Sequence, residues 1–159
     1  MGARSVTLDP RHAGRPRWEG QVKMVVSTFV EAPLQEVWRA YTTPDDIKAW
    51  NAASEDWHTT SSVVDLRPGG KFSSRMEAKD GSFGFDFAGE YTRVVPLALI
   101  EYTFGDRVGL VEFSDNGAGV MVTVTFDAET MHTEAQQREG WQAILDRFAR
   151  HVKANWASR

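Results

Sequence analysis

The stretch KFSSRMEAKDGSFGFDFAGEYTRVVPLALIEYTFGDRVGLVEFSDNGAGVMVTVTFD, residues 71–127, decides the fold. It is a series of β-branched and aromatic runs broken at Asp80-Gly81, Pro96-Leu97, Gly105-Asp106 and Asn116-Gly117, the pattern of an antiparallel meander. A two-residue hairpin fixes which residues oppose each other, and the side-chain period of two then fixes their face. Closing Asp80-Gly81 sets Met76 opposite Phe85, Ser74 opposite Phe87 and Phe72 opposite Gly89. Closing Pro96-Leu97 sets Tyr91 opposite Tyr102, and Gly105-Asp106 sets Tyr102 opposite Gly109 and Ile100 opposite Val111. Closing Asn116-Gly117 sets Val111 opposite Val122 and Phe113 opposite Val120.

All four turns agree on one apolar face. It carries Phe72, Met76, Phe85, Phe87, Tyr91, Ile100, Tyr102, Phe104, Val111, Phe113, Val120 and Val122, while Asp86, Glu90, Thr92, Glu101, Thr103 and Glu112 fall on the other. That is the signature of an antiparallel sheet with one wet side. Gly89 and Gly109 lie on the apolar face, where the sheet must bend or something bulky approaches. The turn at Gly69-Gly70 leaves two registers: a two-residue loop turns Asp65 and Arg67 inward, one extra residue turns Val64 and Leu66 inward, and hydrophobicity favours the second.

Outward from the meander, VKMVVSTFVE (residues 22–31) reads as a first strand. Two short helices follow it: APLQEVWRAYTT has Pro33 near its start and a spaced apolar set, and Thr43-Pro44-Asp45-Asp46 is an N-cap, a first-position proline and first-turn acids. At the other end Thr133 and Gln136 form a capping box, and Trp141, Ile144, Leu145, Phe148 and Val152 recur at helical intervals. The helix predicted over about 134–155 is roughly 33 Å long. Gly140 interrupts it, which predicts close packing or a local bend. Its apolar stripe needs a partner, and the sheet face is the one large candidate. An α+β fold follows, with about seven curved antiparallel strands wrapped around one long C-terminal helix.

At 159 residues the chain accommodates one domain, expected over residues 22–156. Residues 1–21, with four arginines against two acids, two prolines and three glycines, read as a flexible extension, with a targeting or partner-binding arm as the alternative. The arm is +2 and the remainder −6, so the net charge of −4 gives no general attraction for nucleic acid. No run of 18 apolar residues is present, so no membrane-spanning helix is expected. The absence of cysteine removes disulfides and thiolate chemistry and fits a cytoplasmic location.

The order of strand, two short helices, six-strand meander and terminal helix resembles the helix-grip fold of the SRPBCC superfamily, which includes START domains, polyketide cyclases and birch-pollen-type allergens. EAPLQEVWRAYTTPDDIKAW, DLRPGGKF, DGSFGFDFAGEYTRVVPLALIEYTF and EGWQAILDRFARHV are similar to the bacterial subfamily related to the C-terminal domain of activators of heat shock protein 90 ATPase. The resemblance spans about residues 22–155. It implies a cavity between sheet and terminal helix that takes lipids, polyketides or other hydrophobic molecules. A chaperone activator also has an N-terminal domain, for which residues 1–21 are too short, and this weighs against chaperone activation. Fold likeness alone does not supply function.

No catalytic motif stands out. His12, His58, His132 and His151 show no metal-ligand spacing, there is no GxSxG elbow, P-loop or GxGxxG, and no metal or cofactor is expected. The candidate site is therefore the inward face itself: Phe72, Met76, Phe85, Phe87, Phe104, Val111 and Phe113 as apolar lining, with Leu145 from the helix. Trp141 reads as core or cavity wall, and Trp50 as core or a cover over the cavity mouth. Ser74, Tyr91, Tyr102 and Arg93 are polar residues that the register turns inward, where they need partners. Either the tyrosines pack their rings and bond to backbone or water while Arg93 reaches the rim, or they orient a ligand oxygen with Arg93 as its partner. Three functions compete: binding of a small hydrophobic molecule; a cyclase or dehydratase in which Tyr91 or Tyr102 with Arg93 stabilises an enolate; and an interaction protein, either a homodimer or a chaperone partner.

Overall fold

The computed structural model describes residues 22–158, so the N-terminal extension lies outside the described residues. Strand β1 (Lys23–Val30) leads into helices α1 (Leu34–Thr42) and α2 (Pro44–Trp50). The meander follows as β2 (Trp57–Val64), β3 (Lys71–Ala78), β4 (Gly84–Val95), β5 (Leu99–Phe104), β6 (Arg107–Asp115) and β7 (Val120–Asp127), and α3 (Glu134–Ala157) ends the chain. The seven strands form one antiparallel sheet in the order β1-β7-β6-β5-β4-β3-β2, because β1 returns to pair with the last strand. The sheet is curled around α3, and the architecture is the α+β helix-grip expected from the sequence.

The register at Asp80-Gly81 matches the expectation, with Met76 opposite Phe85 and Ser74 opposite Phe87. So does that at Gly105-Asp106, with Ile100 opposite Val111 and Tyr102 opposite Gly109. The other turns differ, each for a local reason. At Asn116 the loop has four residues: Asn116 Oδ1 accepts from the backbone N–H of Ala118 and Gly119, Asp115 Oδ1 accepts from Gly117 N–H, and Gly117 takes φ +89°. Val111 therefore faces Val124, and Phe113 faces Val122. The slip is two residues, an even number, so every side chain keeps its expected face.

Pro96-Leu97 is a three-residue loop in which Ala98 N–H reaches Val95 O (3.0 Å) and Leu97 stands at φ +68°. Pairing runs Val95 with Leu99 and Arg93 with Glu101, yet Tyr91 still faces Tyr102, because Thr92 is an extra residue bulged from β4. Two single-residue irregularities cancel, and the segment between them turns over. Arg93, expected inward, is outward and exposed, while Val94 packs against the core. At Gly69-Gly70 the wider loop puts Val64 opposite Phe72; Val64 and Leu66 pack inward, and Asp65 and Arg67 form an exposed ion pair (2.9 Å).

Helix α3 starts on the expected capping box, with both reciprocal bonds between Thr133 and Gln136 at 3.0 Å. Leu145, Phe148 and Val152 are fully buried along its inner stripe. A Cβ at Gly140 would meet nothing within 4 Å, so the close packing expected there is absent and the helix runs through without a break. Thr43 is the N-cap of α2 but makes no side-chain capping bond. Trp50 instead ties α2 to α1, its indole N–H donating to Ala40 O at 3.0 Å. His151 of α3 lies 2.8 Å from Asp46 of α2, and Arg39 of α1 lies 3.0 Å from the same carboxylate, which locks the helical layer together.

Candidate functional site

Most inward positions of β1, β6 and β7 are filled. Val111, Val120, Val122 and Phe126 are inaccessible to solvent, and Trp141 of α3 stacks flat on Phe126 with ring centroids 3.9 Å apart. Across β2–β5 the same parity places larger side chains; α2 packs against β2, but α3 does not close down on β3–β5. A cavity of about 520 Å³ remains there.

Eleven of the fourteen candidate residues line this cavity. Phe72, Ser74, Met76, Phe85, Phe87, Tyr91, Tyr102 and Phe104 come from the sheet, Trp50 from α2, and Trp141 and Leu145 from α3. Trp50 is a wall rather than a mouth cover, being buried at the α1–α2 corner. Three candidates lie elsewhere. Val111 and Phe113 belong to the packed half, where Phe113 meets Trp38 and Tyr41 edge-on. Arg93 points to the outer face, for the register reason given above.

Several lining residues were not anticipated, among them Tyr41, Trp57, Val64, Ile100, Arg107 and Glu129. Ile100 and Arg107 were within reach of the registers: with Tyr102 opposite Gly109, the next inward pair is Phe104 opposite Arg107. Tyr41 sits on the spaced apolar set of the first helix, but only packing against Trp50 and Phe148 turns its ring to the cavity. No sequence signal brings Glu129 there.

Two glycines give the cavity its depth. A Cβ at Gly89 would lie 2.9 Å from Cζ of Phe72, and one at Gly109 would run into Cζ of Tyr102. These rings lie across bare backbone rather than standing up into the space between sheet and helix. At the other end Phe85 is 41% exposed and its ring packs near Trp57 and Phe83, so the cavity reaches the surface beside the β3–β4 hairpin.

The polar groups are few and distinctive. Tyr91 and Tyr102 are only 8% and 7% exposed, yet among the described residues neither hydroxyl has a hydrogen-bond partner; the same holds for Tyr41. These hydroxyls are not sealed in the core but open onto the cavity, where a ligand oxygen or water can meet them. Burial pushes the Tyr91 hydroxyl up to about 12, with Asp65 adding to it. Burial raises Tyr41 and Tyr102 as well, and the mutual influence of the phenols adds to this. All three therefore stay neutral at physiological pH and present O–H donors. Ser74 shares a bond with Ser62 at 3.4 Å.

Arg107 is the cation on this wall. Its Nε donates to Asp127 O at 2.9 Å and its guanidinium carbon stands 4.5 Å over the Phe104 ring. Burial lowers its pKa, opposed by Glu129 and Asp127. Glu129 is engaged by the turn before α3, accepting from His132 N–H (2.7 Å) and contacting His132 Nδ1 (2.6 Å).

The family model described as "Activator of Hsp90 ATPase homolog 1-like protein" matches residues 31–153, most of the described fold. The chain belongs to this AHSA1-like family, and through it to the SRPBCC superfamily. Among solved structures, an AHSA1-like protein from Aeromonas hydrophila is 48% identical at TM-score 0.80, covering 84% of this chain and 94% of that one. A protein from Cytophaga hutchinsonii is 38% identical at TM-score 0.73, with 86% and 96% covered. One from Nitrosomonas europaea shares the fold at 22% identity, TM-score 0.76, with 86% and 97% covered. No curated protein matches the sequence. The AHSA1-like fold commonly binds hydrophobic ligands. Among the described residues no helix is long and apolar enough to cross a membrane.

Proposed function

We propose that this AHSA1-like domain binds a small, largely hydrophobic molecule in the cavity between β2–β5 and α3. The observation that carries the reading is the coincidence of an aromatic-walled space of about 520 Å³ with two largely buried tyrosines whose hydroxyls have no hydrogen-bond partner among the described residues. A volume of this size suits a metabolite of two or three fused rings or a medium-chain lipid. Area burial supplies the affinity and the hydroxyls supply orientation. The phenols are donors held neutral, and Arg93 faces away from them. A cyclase-type role built on Tyr91, Tyr102 and Arg93 loses that arginine; the cation on the wall is Arg107, and the acid beside it, Glu129, is engaged by His132, so binding is the reading these groups support.

Thermal-shift and native mass spectrometry screens with lipids and aromatic metabolites test it. Saturating ligand should raise the melting temperature and appear as a one-to-one mass increment. Ile144→Trp, which sends a large ring from α3 into the cavity, should abolish both signals. If no hydrophobic compound shifts the melt, or if Ile144→Trp binds as well as the parent chain, the reading fails.

A further inference from the structure

The cavity wall has an excess of donors, and they gather at one end. Arg107 is the inward position next to Gly109 on β6, about 7 Å along the strand. The Tyr102 ring lies across Gly109 so closely that its hydroxyl would stand 2.6 Å from a Cβ there, which brings it to the β6 backbone beside Arg107. The guanidinium is fixed in orientation by its Nε bond to Asp127 O and by the Phe104 ring beneath it. Its terminal nitrogens have no hydrogen bond or ion pair among the described residues.

The nearby acids are occupied elsewhere. Asp127 Oδ2 accepts from Val108 N–H at 2.8 Å, and Lys23 Nζ stands 2.5 Å from Oδ1, off the line of a directed hydrogen bond but well within charge-pairing range. Glu129 holds His132 through both oxygens. A guanidinium fork and a phenol, the latter on a residue more than nine-tenths buried, therefore line the same cavity, and the carboxylate sharing that wall, Glu129, is hydrogen-bonded to His132 rather than to either of them. The complement is a group with lone pairs and no positive charge.

Resting on the cavity as a binding site, we propose that its ligand carries a carbonyl or carboxylate oxygen seated between Arg107 and Tyr102, with a flat apolar body against the aromatic wall. A ketone or ester oxygen has two lone pairs, one for each donor, and a carboxylate can take the guanidinium fork in two parallel bonds. The shared chemistry is an oxygen on a trigonal carbon. Amines are disfavoured by the guanidinium, and pure hydrocarbons leave both donors unpaired.

Three naphthalenes of nearly equal size distinguish the cases by calorimetry or tryptophan quenching with the full chain: acetylnaphthalene, naphthoic acid and ethylnaphthalene. The ketone or the acid should bind at least about tenfold more tightly than the ethyl compound. That preference should fall to about twofold or less in Tyr102→Phe and in Arg107→Met. The stronger of the two oxygen ligands identifies a neutral or a charged head, and either result supports the proposal. Equal binding of the ethyl compound, or a preference that survives both substitutions, overturns it while leaving the cavity reading intact. Failure of all three to bind overturns the proposal, while the cavity reading stands or falls with the lipid and metabolite screen. Circular dichroism checks folding; should Arg107→Met unfold, Tyr102→Phe removes one oxygen and carries the test alone.

Discussion

The two halves of the sheet follow the same inward-outward alternation and reach opposite outcomes. On β1, β6 and β7 the inward side chains are mainly valine and phenylalanine at zero or near-zero exposure, capped by the flat Trp141–Phe126 stack. On β2–β5 they are larger and more aromatic, yet they surround a void. Volume alone does not decide whether a core closes. On the packed half β1 lies against α3 and Phe113 of β6 meets Trp38 and Tyr41 of α1, whereas Phe72 and Tyr102 lie down over Gly89 and Gly109 and leave the space above them empty. Packing density is a property of ring orientation here as much as of residue size.

The largest expected effect sets one half against the other. Phe148→Ala, beneath Trp50 and Tyr41, should cost about 3–5 kcal/mol in urea unfolding, and Phe87→Ala, already facing the void, less than half of that. Equal costs would break the comparison.

Alkaline pH tests the open half next. The folded phenols of Tyr41, Tyr91 and Tyr102 have pKa values above their unfolded value near 10, so the unfolded chain loses protons first. Their contribution is complete below pH 10 and is lost as pH rises toward about 12, at up to about 1.4 kcal/mol per pH unit for each tyrosine. Melting temperatures recorded from pH 8 to pH 11 should fall, and less steeply once Tyr91 and Tyr102 are both replaced by Phe; an unchanged slope would remove these phenols as the cause.

A smaller effect comes from the seat beneath Tyr102. Gly109→Val forces that ring upward, shrinking the cavity; about 1–3 kcal/mol of stability should go, together with most affinity for any aromatic ligand. Retained affinity would mean that the ring's posture does not govern the space. Smallest of all, Gly140→Ala on α3 adds a methyl that meets nothing and should stabilise by about 1 kcal/mol in thermal or urea melts. A loss there would show that the start of α3 needs glycine for a reason other than packing.

Much of this fold was legible because face assignment depends on parity. The four-residue loop at Asn116 shifts the register by two and moves no side chain across the sheet. The aromatic lining of β3–β5 could be read from the hairpins for the same reason. What escaped were events of one residue and contacts between layers. Thr92 adds an odd number, so Arg93 was read inward when it is outward. The inward cation is Arg107, which the correctly read Gly105-Asp106 turn had already placed opposite Phe104. Tyr41 and Glu129 reach the cavity through the packing of helices and a turn, which strand periodicity does not encode. The division into packed and open halves likewise depends on where α3 rests, so Val111 and Phe113 could not be told apart from true lining residues.

Thr92 also separates two ways in which such a domain can change. Its side chain is exposed and bonds Glu101 on the outer face (2.8 Å). Removing it would leave Tyr91 opposite Tyr102 and Arg93 opposite Glu101 while relaxing the bend that a bulge imposes on the strand. The curvature of the wall beside the cavity can thus be retuned by adding or deleting a codon, with no lining side chain exchanged.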